Sequence, residues 1–558
     1  MSRLTQAIER SLSRVDAKLI FDHGRWFDAR ETADDVARIQ WRLQALGVHA
    51  GDRVFIALPN SYEFTVLYVA VLTYGAIAVP MNPAMPAPEL AKTLGRADVS
   101  AAFIGRKCAD GWADVLTAAD LCEVGAADAR GGAASGIDDR ISLFVRSALA
   151  KAPAASGSES ASSVSDDAPA VLMFTSGTTG DPKGVLLRHR HLWAAVQNVT
   201  GSHQLTDQDV AYCILPLFHI NAQVIVFLST LCSQGKLVMA ERFSASSFWT
   251  TIQKHGVTWV SAVPAILTIL AKKAQDLQAA ASGDGTQVQA MARSLRFIRS
   301  ASAPLPTAVM RQFESTYGVP VIESYGMTEA AGQICINPLP PGVRKTGSVG
   351  IPYQVQLRIV SSDDDRRVLP AGQTGEIEIR GDNIIESYVQ TGASLPAQPN
   401  GRAAASAGAE RGEDRPWLPT GDLGCMDEDG YVYITGRVKE IINRAGEKFS
   451  PRDVEEVLYA HPDVEKAAVA GLPDVTYGER VMAWVIQRPE SSLPPETLAA
   501  QLLDLCQRSL AKFKWPSEIQ IVDNLPVGAT GKVKKHMLRQ EPIAGMKRVL
   551  SYSGAGAL

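Results

Sequence analysis

A short segment rich in hydroxyl side chains and glycine is the first feature of this sequence that could bind a ligand. It runs from Met173 to Val185 (MFTSGTTGDPKGV) and contains four hydroxyl residues, three glycines and one lysine. Backbone amides, hydroxyls and an ammonium group are typical binding partners of phosphate oxygens. The segment is not a P-loop, because Lys183 lies between Pro182 and Gly184 and no hydroxyl residue follows it. The composition predicts a phosphate-binding loop of another kind and disfavours the alternative, a plain turn between strands.

Apolar periodicity predicts the elements that would position this loop. The run Val171–Phe174 is typical of a buried strand, so the loop would leave the end of a strand. Upstream, helix and strand patterns alternate: a helix with the apolar face Val36, Ile39, Leu43 and Leu46 that ends at Gly47, a strand at Val54–Leu58, a helix at Glu63–Tyr74 and a strand at Ala76–Pro80. This alternation predicts an α/β fold in which parallel sheets are covered by helices.

A change of pattern near Gly436 predicts a domain boundary. A turn at Asp427–Gly430 precedes it, and a loop rich in glycine and charge follows it. We therefore expect a large N-terminal domain of parallel or mixed sheets covered by helices at residues 1–436. Residues 437–558 alternate strand and helix patterns again, and their number suits a smaller, mobile α+β C-terminal domain.

Two stretches break the alternation by composition. Residues from about 126 to 168 and residues 393–416 are rich in Ala, Gly, Ser and Pro. Such composition predicts mobile surface insertions, and neither stretch resembles a functional site.

Length and composition limit the class of protein. A chain of 558 residues exceeds one ordinary hydrophobic core, and 46% apolar with 20% charged residues is typical of a soluble globular protein. A net charge of −4 gives no reason to expect nucleic acid or an acidic membrane as a partner. The seven cysteines lack CxxC pairs, which favours a reducing compartment and disfavours a zinc site. The N-terminus lacks the apolar core of a secretory signal, and the apolar run Ala222–Leu231 is too short to span a bilayer, so we expect a cytoplasmic protein without stable membrane insertion.

The sequence as a whole resembles the adenylate-forming enzymes, which include acyl- and aryl-CoA synthetases, firefly luciferase and peptide-synthetase adenylation domains. The resemblance covers roughly residues 30–540 and rests on motifs in the family's order. They are FTSGTTGDPKGV (174–185), LPLFHINA (215–222), SASAPLP (300–306), ESYGMTEAAG (323–332), GEIEIRG (375–381), PTGDLG (419–424), GRVKEIINRAGEKFSP (436–451) and ATGKVKK (529–535).

The resemblance implies the reaction of that family, with ATP, Mg²⁺ and CoA as cofactor and co-substrates. A carboxylate attacks the α-phosphorus of ATP, pyrophosphate leaves, and the acyl-adenylate passes its acyl group to the thiol of CoA. The hydroxyl-rich loop is then expected to be mobile and to bind the β- and γ-phosphates. Its binding residues would be Thr175, Ser176, Gly177, Thr178, Thr179 and Lys183.

The YGMTE motif would form the centre of the site. By resemblance, Tyr325 stacks on adenine, Thr328 touches the α-phosphate and Glu329 holds Mg²⁺, a cation that prefers oxygen ligands. Taken alone, the motif favours an ordinary strand followed by a turn, and the ordered set of motifs reverses that preference. The nucleotide-binding set would be completed by Ser302, Ala303, Pro304, Glu323, Ser324, Gly326 and Met327.

Three residues nearer the C-terminus are assigned to ATP by the same resemblance. Asp422 would accept hydrogen bonds from the ribose hydroxyls, and Arg437 would contact ribose or phosphate oxygens. Lys532 would lie beside the α-phosphate and the attacking carboxylate, where a cation stabilises the charge of the transition state. Taken singly, each has a plainer alternative: a turn aspartate, a surface arginine and one lysine of a solvated basic tail.

The segment after Arg437 is expected to serve the second half-reaction. Lys439 matches the hinge of the family, about which the small domain pivots between adenylation and thiol attack. Gly446, in the AGEK loop at Ala445–Lys448, would line the channel for the pantetheine arm of CoA. An exposed loop lysine is the plainer alternative for Lys439.

Four residues are expected to line the acyl pocket: His219, Asn221, Ser300 and Gly332. His219 is also assigned to the catalytic set with Thr328, Glu329 and Lys532, although a packed core histidine is an equal alternative. Amino-acid-activating relatives usually have an aspartate near His219 to pair with the substrate ammonium, so Phe218, His219 and Asn221 disfavour an amino acid.

The subgroup most similar in motif detail is the oxalyl-CoA synthetases, through YGMTEA, QICINPLPPG, RFIRSASAPL and NRAGEKFSP. Those enzymes typically have histidine where this chain has Asn221 and Gly332. These departures argue against a small dicarboxylate, and Gly332 would open the pocket floor to a larger or more apolar acid.

The acceptor is left open between free CoA and a separate carrier protein or an amine. No carrier-protein segment of the GxxS kind follows Lys535, which favours free CoA. A non-catalytic nucleotide-binding relative is disfavoured because Glu329, Asp422, Arg437 and Lys532 are all present. The monooxygenase use of an adenylate, as in luciferase, shares these motifs.

Overall fold

The computed structural model describes residues 1–14, 16–124, 140–150, 164–175, 183–280, 285–361, 366–389, 415–527, 533–539 and 548–553. The chain divides into two compact units. The first comprises Met1–Thr346, Gly350–Gln356 and Arg380–Leu418. The second comprises Gly347–Val349, Leu357–Ile379 and Pro419–Leu558. The predicted boundary after residue 436 stays a prediction.

The strands in chain order are β1 (Lys18–Asp22), β2 (Arg25–Asp28), β3 (Arg53–Ala57), β4 (Ile77–Pro80), β5 (Ala101–Gly105), β6 (Leu121–Glu123), β7 (Ile141–Arg146), β8 (Pro169–Thr175), β9 (Lys183–Arg188), β10 (Val210–Cys213), β11 (Lys236–Met239), β12 (Trp259–Ala262), β13 (Phe297–Ser300), β14 (Val321–Tyr325), β15 (Cys335–Ile336), β16 (Ile351–Pro352), β17 (Gln356–Val360), β18 (Gly375–Arg380), β19 (Leu418–Met426), β20 (Val432–Arg437), β21 (Ile442–Arg444), β22 (Glu447–Phe449), β23 (Val464–Asp474), β24 (Gly478–Gln487), β25 (Glu518–Val522) and β26 (Arg548–Ser553).

The α-helices are α1 (Arg3–Leu12), α2 (Ala29–Ala45), α3 (Tyr62–Tyr74), α4 (Ala87–Ala97), α5 (Arg106–Ala118), α6 (Ser147–Ala150), α7 (His189–Ser202), α8 (Ser229–Cys232), α9 (Phe248–His255), α10 (Pro264–Ala280), α11 (Gly285–Met291), α12 (Thr307–Tyr317), α13 (Pro451–Tyr459), α14 (Pro495–Ser509) and α15 (Lys535–Leu538). A π-helix spans Asn221–Leu228, and single 3₁₀ turns span Thr328–Ala330, Val438–Glu440 and Lys512–Lys514.

The first unit contains two sheets whose central strands are parallel. One has the order β16-β15-β14-β13-β12-β10-β11-β1-β2, with parallel pairing from β14 to β1. The other has the order β6-β7-β5-β3-β4-β8-β9, with parallel pairing from β5 through β3 and β4 to β8. Every residue of β3 is buried, as expected for a strand whose two faces are both covered. The predicted α/β class with parallel sheets is therefore confirmed.

The predicted elements of the first third are confirmed to within a few residues. The helix predicted to end at Gly47 is α2, which begins after the N-cap Asp28 and is followed by Gly47 at φ +73°. The helix predicted at Glu63–Tyr74 is α3, whose N-cap Ser61 accepts a hydrogen bond from the amide of Phe64. The N-terminal ends of both helices follow from their capping residues, Asp28 and Ser61, which can be recognised in the sequence.

The first predicted insertion is wrong in part. Residues 141–146 (ISLFVR) form β7, which pairs antiparallel with β5 in the seven-stranded sheet, and Leu143 and Val145 are fully buried. The composition of the longer stretch concealed this short alternating run. Residues 125–139 and 151–163 lie outside the described residues, as does most of the second predicted insertion.

The second unit contains a four-stranded sheet, β17-β18-β19-β20, and a six-stranded sheet. In the six-stranded sheet the order is β22-β21-β24-β25-β26, and β23 also pairs with β24. One face of this sheet packs against α13 and α14 through a cluster that includes Val454, Leu498 and Leu502. The mixed strand and helix content agrees with the predicted α+β character of the C-terminal region.

The length and apolar character of the helices bear on the predicted absence of membrane insertion. Within the described ranges, none of the helices combines the length and the apolar character needed to cross a bilayer. The apolar run Ala222–Leu231 lies in the π-helix and the start of α8, and its side chains are buried in the core of the first unit.

Candidate active site

An antiparallel pair of strands flanks the hydroxyl-rich loop. β8 ends at Thr175, β9 begins at Lys183, and these two residues are paired. Lys183 is exposed, and its Nζ lies 4.7 Å from the centroid of the Tyr388 ring, a cation–π distance. The strand pair thus places the lysine at one end of the loop. The remaining predicted phosphate-binding residues lie outside the described residues: Ser176, Gly177, Thr178 and Thr179.

Two motifs meet at the carboxyl ends of adjacent parallel strands. β13 and β14 are paired so that Ser300 lies opposite Glu323, and Glu323, Ser324 and Tyr325 end β14. Ligands of open α/β sheets bind at this edge. Ser302 follows β13 with a left-handed backbone, φ +74°, which for a residue with a side chain is a strained conformation typical of binding sites. Ser302, Ala303 and Pro304 are exposed.

The chain after β14 turns back on itself in very little space. A Cβ atom at Gly326 would lie 1.5 Å from the carbonyl oxygen of Gly332, so a side chain at residue 326 would displace the backbone. The amide of Ile334 donates to the carbonyl of Tyr325 at 2.9 Å. This tight return leaves Tyr325, Met327 and Thr328 half-buried at the strand end.

Glu329 is buried, and both its backbone and its side chain accept hydrogen bonds. Its carbonyl accepts a hydrogen bond from the amide of Ile385 at 2.9 Å. Its Oε1 accepts from the hydroxyl of Tyr388, also at 2.9 Å. No lysine or arginine pairs with this carboxylate within the described part of the chain. A fixed carboxylate with no protein cation beside it suits Mg²⁺, which binds one or two carboxylates together with phosphate oxygens.

Tyr388 is a residue that the sequence analysis missed. Its hydroxyl contacts Glu329 and its ring contacts Lys183, so one side chain joins the predicted metal ligand to the predicted phosphate ligand. Burial and the neighbouring Glu329 raise the pKa of Tyr388 above its usual range, so its hydroxyl remains a donor at all working pH values. Its local sequence, ESYVQ, contains no motif that marks it.

His219 is half-buried and lies just before the π-helix. Burial lowers the pKa of His219 to about 4, so its imidazole is neutral at pH 7. Its ring centroid lies 4.5 Å from that of Phe218. Among the described residues its Nε2 has no hydrogen-bond partner. A buried polar atom without a partner is rare and suits contact with a ligand.

The other predicted pocket residues also belong to the first unit. Asn221 begins the π-helix, a form often found at functional sites, and Ser300 ends β13. Ser300 Oγ is buried and makes no hydrogen bond to any described residue. A Cβ atom at Gly332 would lie 2.7 Å from Cδ1 of Ile225, so a side chain at residue 332 would require Ile225 to shift. The larger pocket floor predicted from Gly332 stays a prediction.

The second unit holds Asp422 and Arg437 side by side on paired strands. Asp422 in β19 lies opposite Arg437 in β20, and Arg437 Nε donates to Asp422 Oδ1 at 2.8 Å. The Asp422 carboxylate is buried, whereas the Arg437 side chain is 43% exposed. The arginine can therefore reach a ligand while it orients the aspartate.

The remaining predicted residues also belong to the second unit. Lys439 is exposed in the 3₁₀ turn Val438–Glu440. Gly446 lies in the turn between β21 and β22 with φ +93°, and its amide donates to Oδ1 of Asn443. Lys532 lies outside the described residues. The roles assigned to all of these residues stay predictions.

Two models of known protein families match this chain. The profile of the AMP-binding enzyme family matches residues 8–389. The chain belongs to the AMP-binding enzyme family. A profile of the AMP-binding enzyme C-terminal domain also matches, at residues 453–532. The predicted membership of the adenylate-forming enzymes is thereby confirmed.

Individual relatives cover almost the whole chain. The sulfoacetate–CoA ligase of Cupriavidus necator is 35% identical over 517 residues, 92% of either chain. The oxalate–CoA ligase of Arabidopsis thaliana is 34% identical over 534 residues, 95% of either chain. The crystal structure of ATP-bound MatB from Rhodopseudomonas palustris matches with a TM-score of 0.77 and 27% identity, and the match covers 96% of this chain and 98% of that one.

These AMP-binding enzymes agree with the predicted reaction class. The curated relatives are CoA ligases, which are acid–thiol ligases of the AMP-forming type. Nothing among them favours the alternative of an enzyme that loads a carrier protein. The structural relatives confirm the mixed α/β fold over the length of the chain.

Proposed function

We propose that this AMP-binding enzyme converts a carboxylic acid to its acyl-CoA thioester through an acyl-adenylate. The observation that carries the proposal is the linked group around Tyr388. It joins Lys183, at the predicted phosphate-binding loop, to Glu329, at the carboxyl end of β14. A cation for the departing phosphates and a carboxylate for a divalent ion are what displacement at the α-phosphorus of ATP requires.

In the first half-reaction a carboxylate oxygen of the acid attacks the α-phosphorus, and the bond to the bridging oxygen of pyrophosphate breaks. Lys183 and the hydroxyl-rich loop bind the β- and γ-phosphates, and Lys532 stabilises charge on the α-phosphate. Glu329 would hold Mg²⁺, which would neutralise phosphate charge. Asp422 accepts hydrogen bonds from the ribose hydroxyls, and Arg437 contacts ribose or phosphate oxygens.

In the second half-reaction the sulfur of CoA attacks the acyl carbon, AMP leaves, and the thiol proton is released. The loop at Gly446 lines the path of the pantetheine arm after rotation at Lys439. His219 takes part as a neutral hydrogen-bonding group, because its pKa of about 4 leaves it uncharged at pH 7. A cytoplasmic location agrees with the supply of ATP and CoA.

The test is acid-dependent pyrophosphate release by the purified chain across a panel of carboxylic acids, with and without CoA. We expect release that requires an acid and Mg²⁺, and thioester and AMP in equal amounts when CoA is present. Release that is independent of every acid would overturn the proposal. Turnover that needs a carrier protein and does not depend on CoA would show that the carrier protein, and not CoA, is the acceptor.

A further inference from the structure

A charged side chain that the sequence analysis did not assign lies beneath the predicted acyl pocket. Arg299, the residue before Ser300 in β13, is only 2% exposed. Its Nη1 donates to Ser261 Oγ at 3.2 Å and to Asn221 Oδ1 at 3.3 Å, and its Nη2 donates to Ser324 Oγ at 2.8 Å. Burial lowers the pKa of Arg299 to about 9, so the guanidinium is charged at pH 7.

The described residues around Arg299 do not neutralise its charge. In the parts of the chain that the structure describes, all its hydrogen-bond partners are neutral and no carboxylate forms an ion pair with it. Its Nε also lacks a partner among these residues. Burying a cation without an anion is costly, and a purely structural role would be served at lower cost by an apolar or ion-paired side chain. An anion bound nearby would remove this cost.

The guanidinium fixes the orientation of Asn221. Because arginine only donates, the Asn221 atom that faces it must be the carbonyl oxygen. Ser261, which accepts from Arg299, donates to the same oxygen at 2.9 Å. The amide nitrogen of Asn221 therefore points away from this cluster, and it makes no hydrogen bond within the described residues. Asn221 is half-buried, so this nitrogen can meet a ligand.

We propose that Asn221, oriented and polarised by Arg299, binds a second anionic group on the acid substrate, such as a second carboxylate or a sulfonate. This inference rests on the proposed function and names the substrate class of the same site. The amide donates both its N–H groups toward the pocket, and the buried positive charge strengthens binding of an anion in a region of low dielectric. It differs from the expectation of a larger or more apolar acid, which depended on Gly332.

Arg299 acts through Asn221 and is a positioning residue. An alternative role is to tie β12, β13 and β14 together through its two serine partners, Ser261 and Ser324. That role would affect stability and would be indifferent to the charge of the acid. The two roles therefore differ in whether substitution changes the preference between acids of equal size.

The decisive variant is Asn221→Asp, which keeps the size of the side chain. A carboxylate at this position would pair with Arg299, so the fold should be retained, while the two N–H donors are lost and the charge is neutralised. Arg299→Met removes the charge, and Arg299→Lys restores it. Arg296→Lys serves as the matched control. Arg296 comes just before β13 and forms an ion pair with Asp209.

The experiment measures kcat/KM for pyrophosphate release with C2 to C4 dicarboxylates and sulfoacetate, and with the monoamide of each dicarboxylate. We expect the unmodified chain to prefer a dicarboxylate or the sulfonate over the matching monoamide by at least about 10-fold. Asn221→Asp and Arg299→Met should reduce this ratio by about 10- to 100-fold, mainly through KM, and Arg299→Lys should recover part of it. Arg296→Lys should not change it.

Two outcomes would overturn the inference alone: turnover with acids but without a preference for the second anionic group, or an unchanged ratio in folded Asn221→Asp. Should Arg299→Met fail to fold, the ratio in Asn221→Asp decides. Absence of acid-dependent pyrophosphate release with every acid tested would instead overturn the proposed function, and the inference with it.

Discussion

The hydroxyl of Tyr388 can be removed while its ring is kept. In Tyr388→Phe the hydrogen bond to Glu329 is lost and the ring contact with Lys183 remains. We expect kcat/KM for ATP to fall by about 10-fold and the Mg²⁺ concentration for half-maximal activity to rise, because a charge-assisted hydrogen bond no longer orients the carboxylate. Steady-state kinetics at varied Mg²⁺ measure both effects.

Tyr388→Leu is the companion variant, since it removes the ring contact as well. It should lose more activity than Tyr388→Phe. Equal ATP kinetics and Mg²⁺ dependence in Tyr388→Phe and the unmodified chain would show that the hydroxyl does not position Glu329.

Lys532 is predicted to act in the first half-reaction, adenylate formation, and not in the second. Lys532→Ala should lose most adenylate formation, because its cation is expected to act on charge at the α-phosphate in the transition state. Thioester formation from supplied acyl-adenylate should be largely intact. Both rates can be followed separately, with Lys534→Ala as the control. Equal losses in the two half-reactions would contradict the assigned role.

The buried histidines of the first unit make stability depend on pH. Burial lowers the pKa of His189 to about 4, and its Nδ1 lies 3.1 Å from Ser2 Oγ. An unfolded histidine titrates near 6.5, so between about pH 6.5 and 4 the unfolded chain binds more protons and stability falls as pH falls. For His189 alone we expect a loss on the order of 1–2 kcal/mol at pH 5 relative to pH 8.

Urea unfolding of the unmodified chain and of His189→Gln at pH 8, 6 and 5 measures this dependence. The variant should lose less stability on acidification. A stability that is independent of pH in this window would show that His189 is not buried as a neutral imidazole.

At the scale of elements, sequence patterns predicted the helix ends and strand positions that neighbouring residues determine. The bounds of α2 and α3 follow from Asp28 and Ser61, which cap them, and from the left-handed glycines that end them. The start of the hydroxyl-rich loop could be placed because the strand before it, β8, contains the continuous apolar run Val171–Phe174. These features depend on neighbours in the sequence, so a sequence alone displays them.

Features that depend on distant contacts could not be predicted in the same way. Tyr388 matters because Lys183 and Glu329 lie beside it, and both are far away in the sequence. Arg299 belongs to the motif RFIRSASAPL, but the absence of an acidic partner among the described residues depends on the packing of three strands and the π-helix. The close approach of Ile225 to Gly332 joins residues that are more than a hundred positions apart in the sequence.

Lys535, at the start of α15, stabilises the second unit through two acidic partners. Its Nζ lies 2.8 Å from Glu455 in α13 and 3.2 Å from Glu440 beside the predicted hinge residue Lys439. Glu455 and Glu440 raise its pKa against the opposing effect of burial. Lys535→Met leaves two carboxylates without their cation and should destabilise the second unit on the order of 3 kcal/mol.

Because Lys535 lies three residues after Lys532, the same variant should also slow adenylation. Thermal unfolding and single-turnover adenylate formation measure the two effects, with Lys512→Met as an exposed control. Unchanged stability would show that this triad is not formed in solution.

At the scale of the whole molecule, the residues assigned to one reaction are divided between two compact units. The first unit holds Lys183, Glu329 and the predicted acyl pocket, and the second holds Asp422 and Arg437. Family membership extends across both, at residues 8–389 and 453–532. Assays of the reaction therefore require the full chain.

The central claim is that the acid is activated by direct attack of its carboxylate on the α-phosphorus of ATP. The most direct measurement uses an accepted acid labelled with oxygen-18 in its reacting carboxylate, with ATP, Mg²⁺ and CoA, followed by mass spectrometry of the products. We predict that one labelled oxygen appears in AMP and none in pyrophosphate, because the attacking oxygen stays on the α-phosphorus when the acyl group leaves for CoA. Label in inorganic phosphate with formation of ADP, or AMP without label, would contradict the account.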